Sequence, residues 1–210
     1  MEFLSSLDLS TVKDGIHVVS TALEIPVIIV LLVALVIVVF QLGSVIVEFF
    51  AERAGKKLNV TRALEEVSGQ DRETKLEILQ GKPFLKRQKR IFTRLLESTA
   101  VTKEDQKLFA VQLLSEEESR LEKKLAVTDI IARIGPMFGL MATLIPLGPG
   151  LIALGQGDTK GLSDSLLTAF DATVAGLAAA GVAFIISKVR KRWYQSDMMT
   201  LETILEGVID

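Results

Sequence analysis

The last of three long apolar runs in this sequence holds a single ionisable residue, Asp171. A charge near the middle of a bilayer costs at least about 2.5–3.5 kcal/mol on insertion scales, so an acid there marks a functional site by default. Asp171 lies about two helical turns inside its run, and no basic residue stands at that depth. Protonation, pairing across subunits and hydration would each satisfy it, and the residue alone leaves all three open. Two threonines accompany it, Thr143 in the second run and Thr173 in the third. A hydroxyl bonded back to its own helix is the plain alternative for each. Pro146 and Pro149 lack amide hydrogens, so the carbonyls of Ala142 and Ile145 lose their helical donors. Such carbonyls are tolerated at that depth only against protein or a water-filled cavity. Together these groups are stepping points for a small cation. Hydroxyls and carbonyls replace lost hydration, and a carboxylate that alternates between protonated and ionised forms passes protons. The set suits sodium as well as a proton.

The elements that must position these groups are membrane spans, each needing roughly 20 apolar residues as a helix. Ile25 to Val47 is uncharged and bracketed by Glu24 and Glu48. Its length, its distance from the start and the lack of a basic leader distinguish it from a cleaved signal peptide. Residues 134–154 form the second span and 165–187 the third, joined by a short outer hairpin loop, 155–164. Basic residues set the direction. Residues 1–24 hold only Lys13 and the loop only Lys160, whereas 51–128 hold 17. The expected protein is therefore all-α and integral to the cell (inner, cytoplasmic) membrane. Its three transmembrane helices run N-out/C-in, with long helical extensions in the cytoplasm.

Residues 1–24 are then the extracytoplasmic segment, with a surface helix expected within residues 1–20. Residues 48–133 form a helical cytoplasmic segment and 188–210 a cytoplasmic tail. The first span is expected to extend past Glu48 towards Gly55. In 51–128 the clearest break is Gly81-Lys82-Pro83. Leu108, Val111, Leu114, Leu121 and Leu125 then recur at mostly helical intervals, which predicts one helix running on into the second span. Lys82, Lys86, Arg87, Lys89, Arg90 and Arg94 read as a solvated basic face near anionic lipid. Arg133, Lys188, Arg190, Trp193 and Tyr194 stand where interface anchors belong. Met198, Leu201, Ile204, Leu205 and Val208 mark a short amphipathic helix.

Small residues dominate one side of the second and third spans: Gly135, Gly139 and Ala142, then Ala169, Ala172, Gly176, Ala179, Ala180 and Ala183. Such spacing lets helix backbones approach closely. Gly139, Ala142, Ala169, Gly176 and Ala180, with the kinks at Pro146 and Pro149, are expected to face a pore or partner. The amount of small surface points to a homo-oligomer or to a cavity housing another helix, with ordinary packing within the chain as the plain alternative.

Two stretches carry a family likeness. Gly135-Pro136-Met137-Phe138-Gly139-Leu140-Met141-Ala142-Thr143-Leu144 resembles the second-span motif of MotA/TolQ/ExbB proton-channel subunits, and Ala172-Thr173-Val174-Ala175-Gly176-Leu177 resembles their third-span motif. The resemblance implies a homopentamer around two copies of a single-span ExbD/TolR/MotB-like partner that carries an ion-binding Asp. It implies that Thr143 and Thr173 line the ion path beside that Asp. Proton or sodium motive force would then drive mechanical work. The TolQ/ExbB branch usually has a Glu where Thr168 stands, and Ala142 replaces a usual Gly, so the chain reads as a divergent branch.

Other classes recede. The chain has no Cys and one His, so thiolate chemistry is excluded and little remains for a zinc site. No cofactor is expected beyond the transported H+ or Na+. A net charge of −2 argues against nucleic acid as a partner. Gly155-Gln156-Gly157-Asp158 matches the GxGD motif of intramembrane aspartyl proteases. A polar turn explains those glycines equally well, and no enzymatic activity is expected. A non-conducting membrane scaffold or receptor subunit is the remaining alternative.

Overall fold

A computed structural model describes residues 9–50, 60–98 and 102–209. Among the described residues six helices follow in order: α1 (Leu9–Glu48), α2 (Val60–Val67), α3 (Arg72–Gly81), α4 (Lys86–Leu96), α5 (Lys103–Gly155) and α6 (Thr159–Ile209). No strand occurs among the described residues. Three helices, α1, α5 and α6, are long and apolar enough to cross a membrane. Each carries one of the three apolar runs.

The helices overrun the expected boundaries. From Leu9 onward the backbone enters the first span without a break, so no separate surface helix occurs there; residues 1–8 lie outside the described residues. Gly15 weakens a helix only modestly, and nothing between it and the span stops one. Phe49 and Phe50 continue α1 with π-type hydrogen bonding, and the expected extension to Gly55 falls outside the described residues. The helix expected to join cytoplasmic segment and second span is α5, 53 residues long, which passes through Pro136, Pro146 and Pro149. The C-terminal apolar stretch is likewise no separate helix but the end of α6.

The hairpin connection is much shorter than residues 155–164. Gly157, at φ +80°, supplies the left-handed turn after α5. Its N–H donates to the Leu154 carbonyl at 2.9 Å, and the Asp158 N–H to the Ala153 carbonyl at 2.9 Å, a Schellman pair that satisfies the last carbonyls. Asp158 then caps α6, its Oδ1 accepting from the Gly161 N–H at 2.9 Å.

The chain forms two compact units. The first contains residues 1–42 and 128–186. Its interior has two apolar clusters, one of Ala34, Val38, Ile131, Ala179 and Ala183, the other of Val27, Leu31, Ala142 and Ile145. Its outside is also apolar, with Leu32, Phe40, Leu144, Phe170 and Ile185 more than half exposed. That inversion is what a hydrocarbon solvent requires.

The second unit contains residues 43–127 and 187–210 and has an ordinary aqueous-type core. Ala63 and Val67 from α2, Leu79 from α3, Phe92 and Leu95 from α4, Leu113 from α5, and Leu201, Ile204 and Leu205 from α6 are buried together. The Phe84 and Phe92 rings meet edge to face at 5.0 Å. Helix ends are tied down individually. The Thr102 hydroxyl accepts from the Asp105 N–H at 3.1 Å at the start of α5. The Gln88 side chain accepts from the Leu85 N–H at 3.0 Å at the start of α4. At the C-terminus of α6, the Lys75 ammonium donates to the Val208 carbonyl at 2.6 Å, cation against negative dipole end.

Candidate ion-path residues in the membrane helices

Where α5 meets α6, backbone lies nearly on backbone. A Cβ built on Gly135 would stand 2.9 Å from the Ala180 Cβ and 3.1 Å from the Gly176 carbonyl oxygen. One built on Gly176 would stand 3.0 Å from the Gly139 Cα and 3.2 Å from Leu31 Cδ2. Only glycine allows this approach, and the approach sets the geometry of Thr173. Its one hydroxyl hydrogen is shared between two acceptors, the Ala169 carbonyl of its own helix at 3.0 Å and the Gly139 carbonyl of α5 at 3.1 Å.

In a regular helix the Gly139 carbonyl is also the acceptor for the Thr143 N–H. The two threonines therefore converge on one peptide group, with Thr143 about 6 Å further along α5. The Thr143 hydroxyl donates to the Leu140 carbonyl at 2.7 Å, and its side chain is half-buried. Both hydroxyls have carbonyl acceptors within the chain, with lone pairs left over for a visiting proton donor or cation.

Asp171 does not join this group. Two residues from Thr173, it is turned about 200° around the helix, and it is exposed. Its neighbours on that face at helical spacing are Thr168, Ala178 and Gly181, all exposed. Leu167 and Val174, at i−4 and i+3 from Asp171, share this face with Ile185, and each is more than half exposed. A Cβ on Gly181 would meet nothing within 4 Å. Thr168, Asp171, Ala178 and Gly181 stand at i, i+3, i+10 and i+13, a spacing overshadowed by the longer run of small residues on the opposite side.

A model of the MotA/TolQ/ExbB proton channel family matches residues 83–203, more than half of the chain. The chain belongs to this family. No curated protein matches its sequence. It is a membrane protein of the MotA/TolQ/ExbB type, and the matched region includes both stretches that carried the likeness.

Several expected placements need correction. Gly139, Ala142, Ala169, Gly176 and Ala180 are buried inside the protomer, not open to a pore or partner. Their small size serves the α5–α6 contact and the packing of α1 against it. Pro146 is buried too, while Pro149 is exposed. Two of the expected interface anchors are also interior. Arg190 is 4% exposed; it donates to Ser44 Oγ at 2.9 Å and pairs with Glu48 at 3.5 Å. Tyr194 is 3% exposed, its ring lying 5.2 Å beneath the Arg87 guanidinium. Burial, reinforced by the negative charge of Glu48, holds the Tyr194 phenol above its ordinary pKa of 10.0. Trp193 is half-buried and stacks on Phe49 at 6.1 Å, whereas Arg133 and Lys188 are exposed.

The basic face is also partly internal. Arg87 pairs with Asp197 and with Glu117, Lys82 with Glu66 at 2.6 Å and Arg94 with Glu116 at 3.1 Å. Asp158, the acid of the GxGD match, caps α6 and is not aimed at Asp171's face. Among the described residues, no group of three or more His, Asp or Glu is placed to hold a metal ion.

Proposed function

We propose that this chain is an ion-conducting motor subunit that couples the proton or sodium motive force to mechanical work. It acts as a homopentamer around two copies of a single-span partner of the ExbD/TolR/MotB kind, in the cytoplasmic membrane with its N-terminus outside. Asp171 is the observation that carries this reading. The chain's own packing leaves this carboxylate uncovered in mid-span, where contact with lipid costs at least about 2.5–3.5 kcal/mol. A second chain, water or a bound proton would satisfy it, and each of these is at hand in a proton path between subunits. Thr143 and Thr173 hold oxygens at neighbouring levels, and the family membership supplies the motive-force coupling. One charge falling through 100 mV releases about 2.3 kcal/mol, enough to bias a conformational step.

The test is partner-dependent ion flux in proteoliposomes. Thr143→Val with Thr173→Val is expected to abolish most of it; unchanged flux would remove the threonines from the path. The inward-bonded hydroxyls favour a second reading, a non-conducting scaffold. A scaffold tolerates Asp171→Leu with its partner process intact, and a proton path through Asp171 does not.

A further inference from the structure

Five cations of the second unit converge on one cavity of about 370 Å³: Lys86, Arg87, Arg90, Arg120 and Lys124, with Glu48 as the one lining carboxylate. The nearby acids are already engaged. Glu48 pairs with Arg190 at 3.5 Å, and Glu117 pairs with Arg87 at 3.7 Å and with Arg120 at 3.8 Å. Lys86, Arg90 and Lys124 have no acidic partner among the described residues. Like charges gathered around one space repel unless an anion enters it. Guanidinium and ammonium groups together match the oxygens of a phosphate.

The depth of the cavity identifies the source of that phosphate. Val47 lines it, and Val47 is the last residue of the first apolar run, so the opening stands at headgroup level. In the same unit Trp193 stacks on Phe49, an aromatic pair of the kind that sits at a membrane interface. We infer that this cavity binds the phosphate of an anionic phospholipid headgroup in the leaflet facing the second unit. Basic recesses beside a span bind headgroups in this way. The inference rests on the membrane placement of α1 and not on ion coupling.

The whole protein, reconstituted in vesicles of equal phosphatidylcholine and phosphatidylglycerol and extracted gently, is read by native mass spectrometry for retained lipid. Wild type is expected to retain phosphatidylglycerol preferentially. K86Q/R90Q/K124Q is expected to lose that preference by roughly fivefold for each cation removed. The charge-keeping K86R/R90K/K124R variant is expected to retain it, which separates loss of charge from loss of fold. Equal retention of the two lipids by wild type, or an unchanged preference in the triple glutamine variant, overturns the proposal. Displacement of the lipid by millimolar inorganic phosphate, with equal stabilisation of lipid-free protein, overturns the lipid source in favour of a free anion. Dispersal of the oligomer by the glutamine variant at unchanged lipid retention also overturns it, because the cavity would then receive an acidic segment of a second copy.

Discussion

Thr173 has one hydroxyl hydrogen and two carbonyls in reach, so it both steadies its own helix and ties it to α5. Interhelical hydrogen bonds inside membranes average about 0.6 kcal/mol. Thr173→Val should therefore lower stability by about that amount in a detergent unfolding assay, and Thr173→Ser should restore it. A loss of ion flux much larger than this stability change allows would assign the hydroxyl to the path. Asp171 should behave in the opposite manner. Exposed in the protomer, it contributes nothing to the packing of a single chain, so Asp171→Asn should leave monomer stability unchanged while stopping flux. Tyr194 offers an independent probe, because it is the chain's one tyrosine. Absorbance near 295 nm should show its phenol ionising above pH 10.0 in the folded protein and at its ordinary value once unfolded. Its folded pKa is raised, so the stability it contributes is complete below the unfolded pKa and is lost as pH rises through the folded one. Alkaline unfolding that begins before tyrosine ionises would contradict this.

Among the elements, the α5–α6 hairpin is the most tightly determined. Gly157 takes a left-handed φ that costs other residues roughly 1 kcal/mol or more. A Cβ on Gly161 would lie 2.5 Å from Asp158 Oδ2, where the cap carboxylate sits. Gly157→Ala should cost about 1 kcal/mol in thermal unfolding, and Gly176→Val should do far more, since the backbone of Gly135 and Gly139, which cannot swing aside as the Leu31 side chain can, occupies its space. If Gly176→Val folds with wild-type stability, the close approach of α5 and α6 is wrong. Small-residue spacing marked these glycines as close-approach positions, and in the structure the approaching neighbour is the same chain. Small-residue spacing reports that something approaches; it carries no information about which chain the approaching helix belongs to.

At the scale of the whole molecule, a single chain leaves Asp171 exposed on an apolar face of α6, and the proposed assembly would cover it. Native mass spectrometry should therefore find several copies per particle, and the chain purified without its single-span partner should leak few ions in vesicles. A monodisperse, stable monomer would oppose the assembly. A leaky lone chain would oppose the need for a partner.

Three spans, a helical charged segment, the continuity of α5 and the break at Gly81-Lys82-Pro83 all followed from the sequence. Hydrocarbon demands about 20 apolar residues with internal hydrogen bonds, and composition and periodicity report this residue by residue. The likeness of Gly135–Leu144 and of Ala172–Leu177 to one family was equally local, and the family match includes both. The fate of each side chain was not local. Arg190 and Tyr194 look like interface anchors in the sequence, yet Ser44, Glu48 and Arg87, remote along the chain, take them into the interior of the second unit. Asp171 and Thr173, two residues apart, part company because a helix turns about 200° over that distance and only one side of α6 meets α5. Periodicity defines the faces of a helix, but which face is buried depends on what packs against it, and that partner is chosen only when the chain folds.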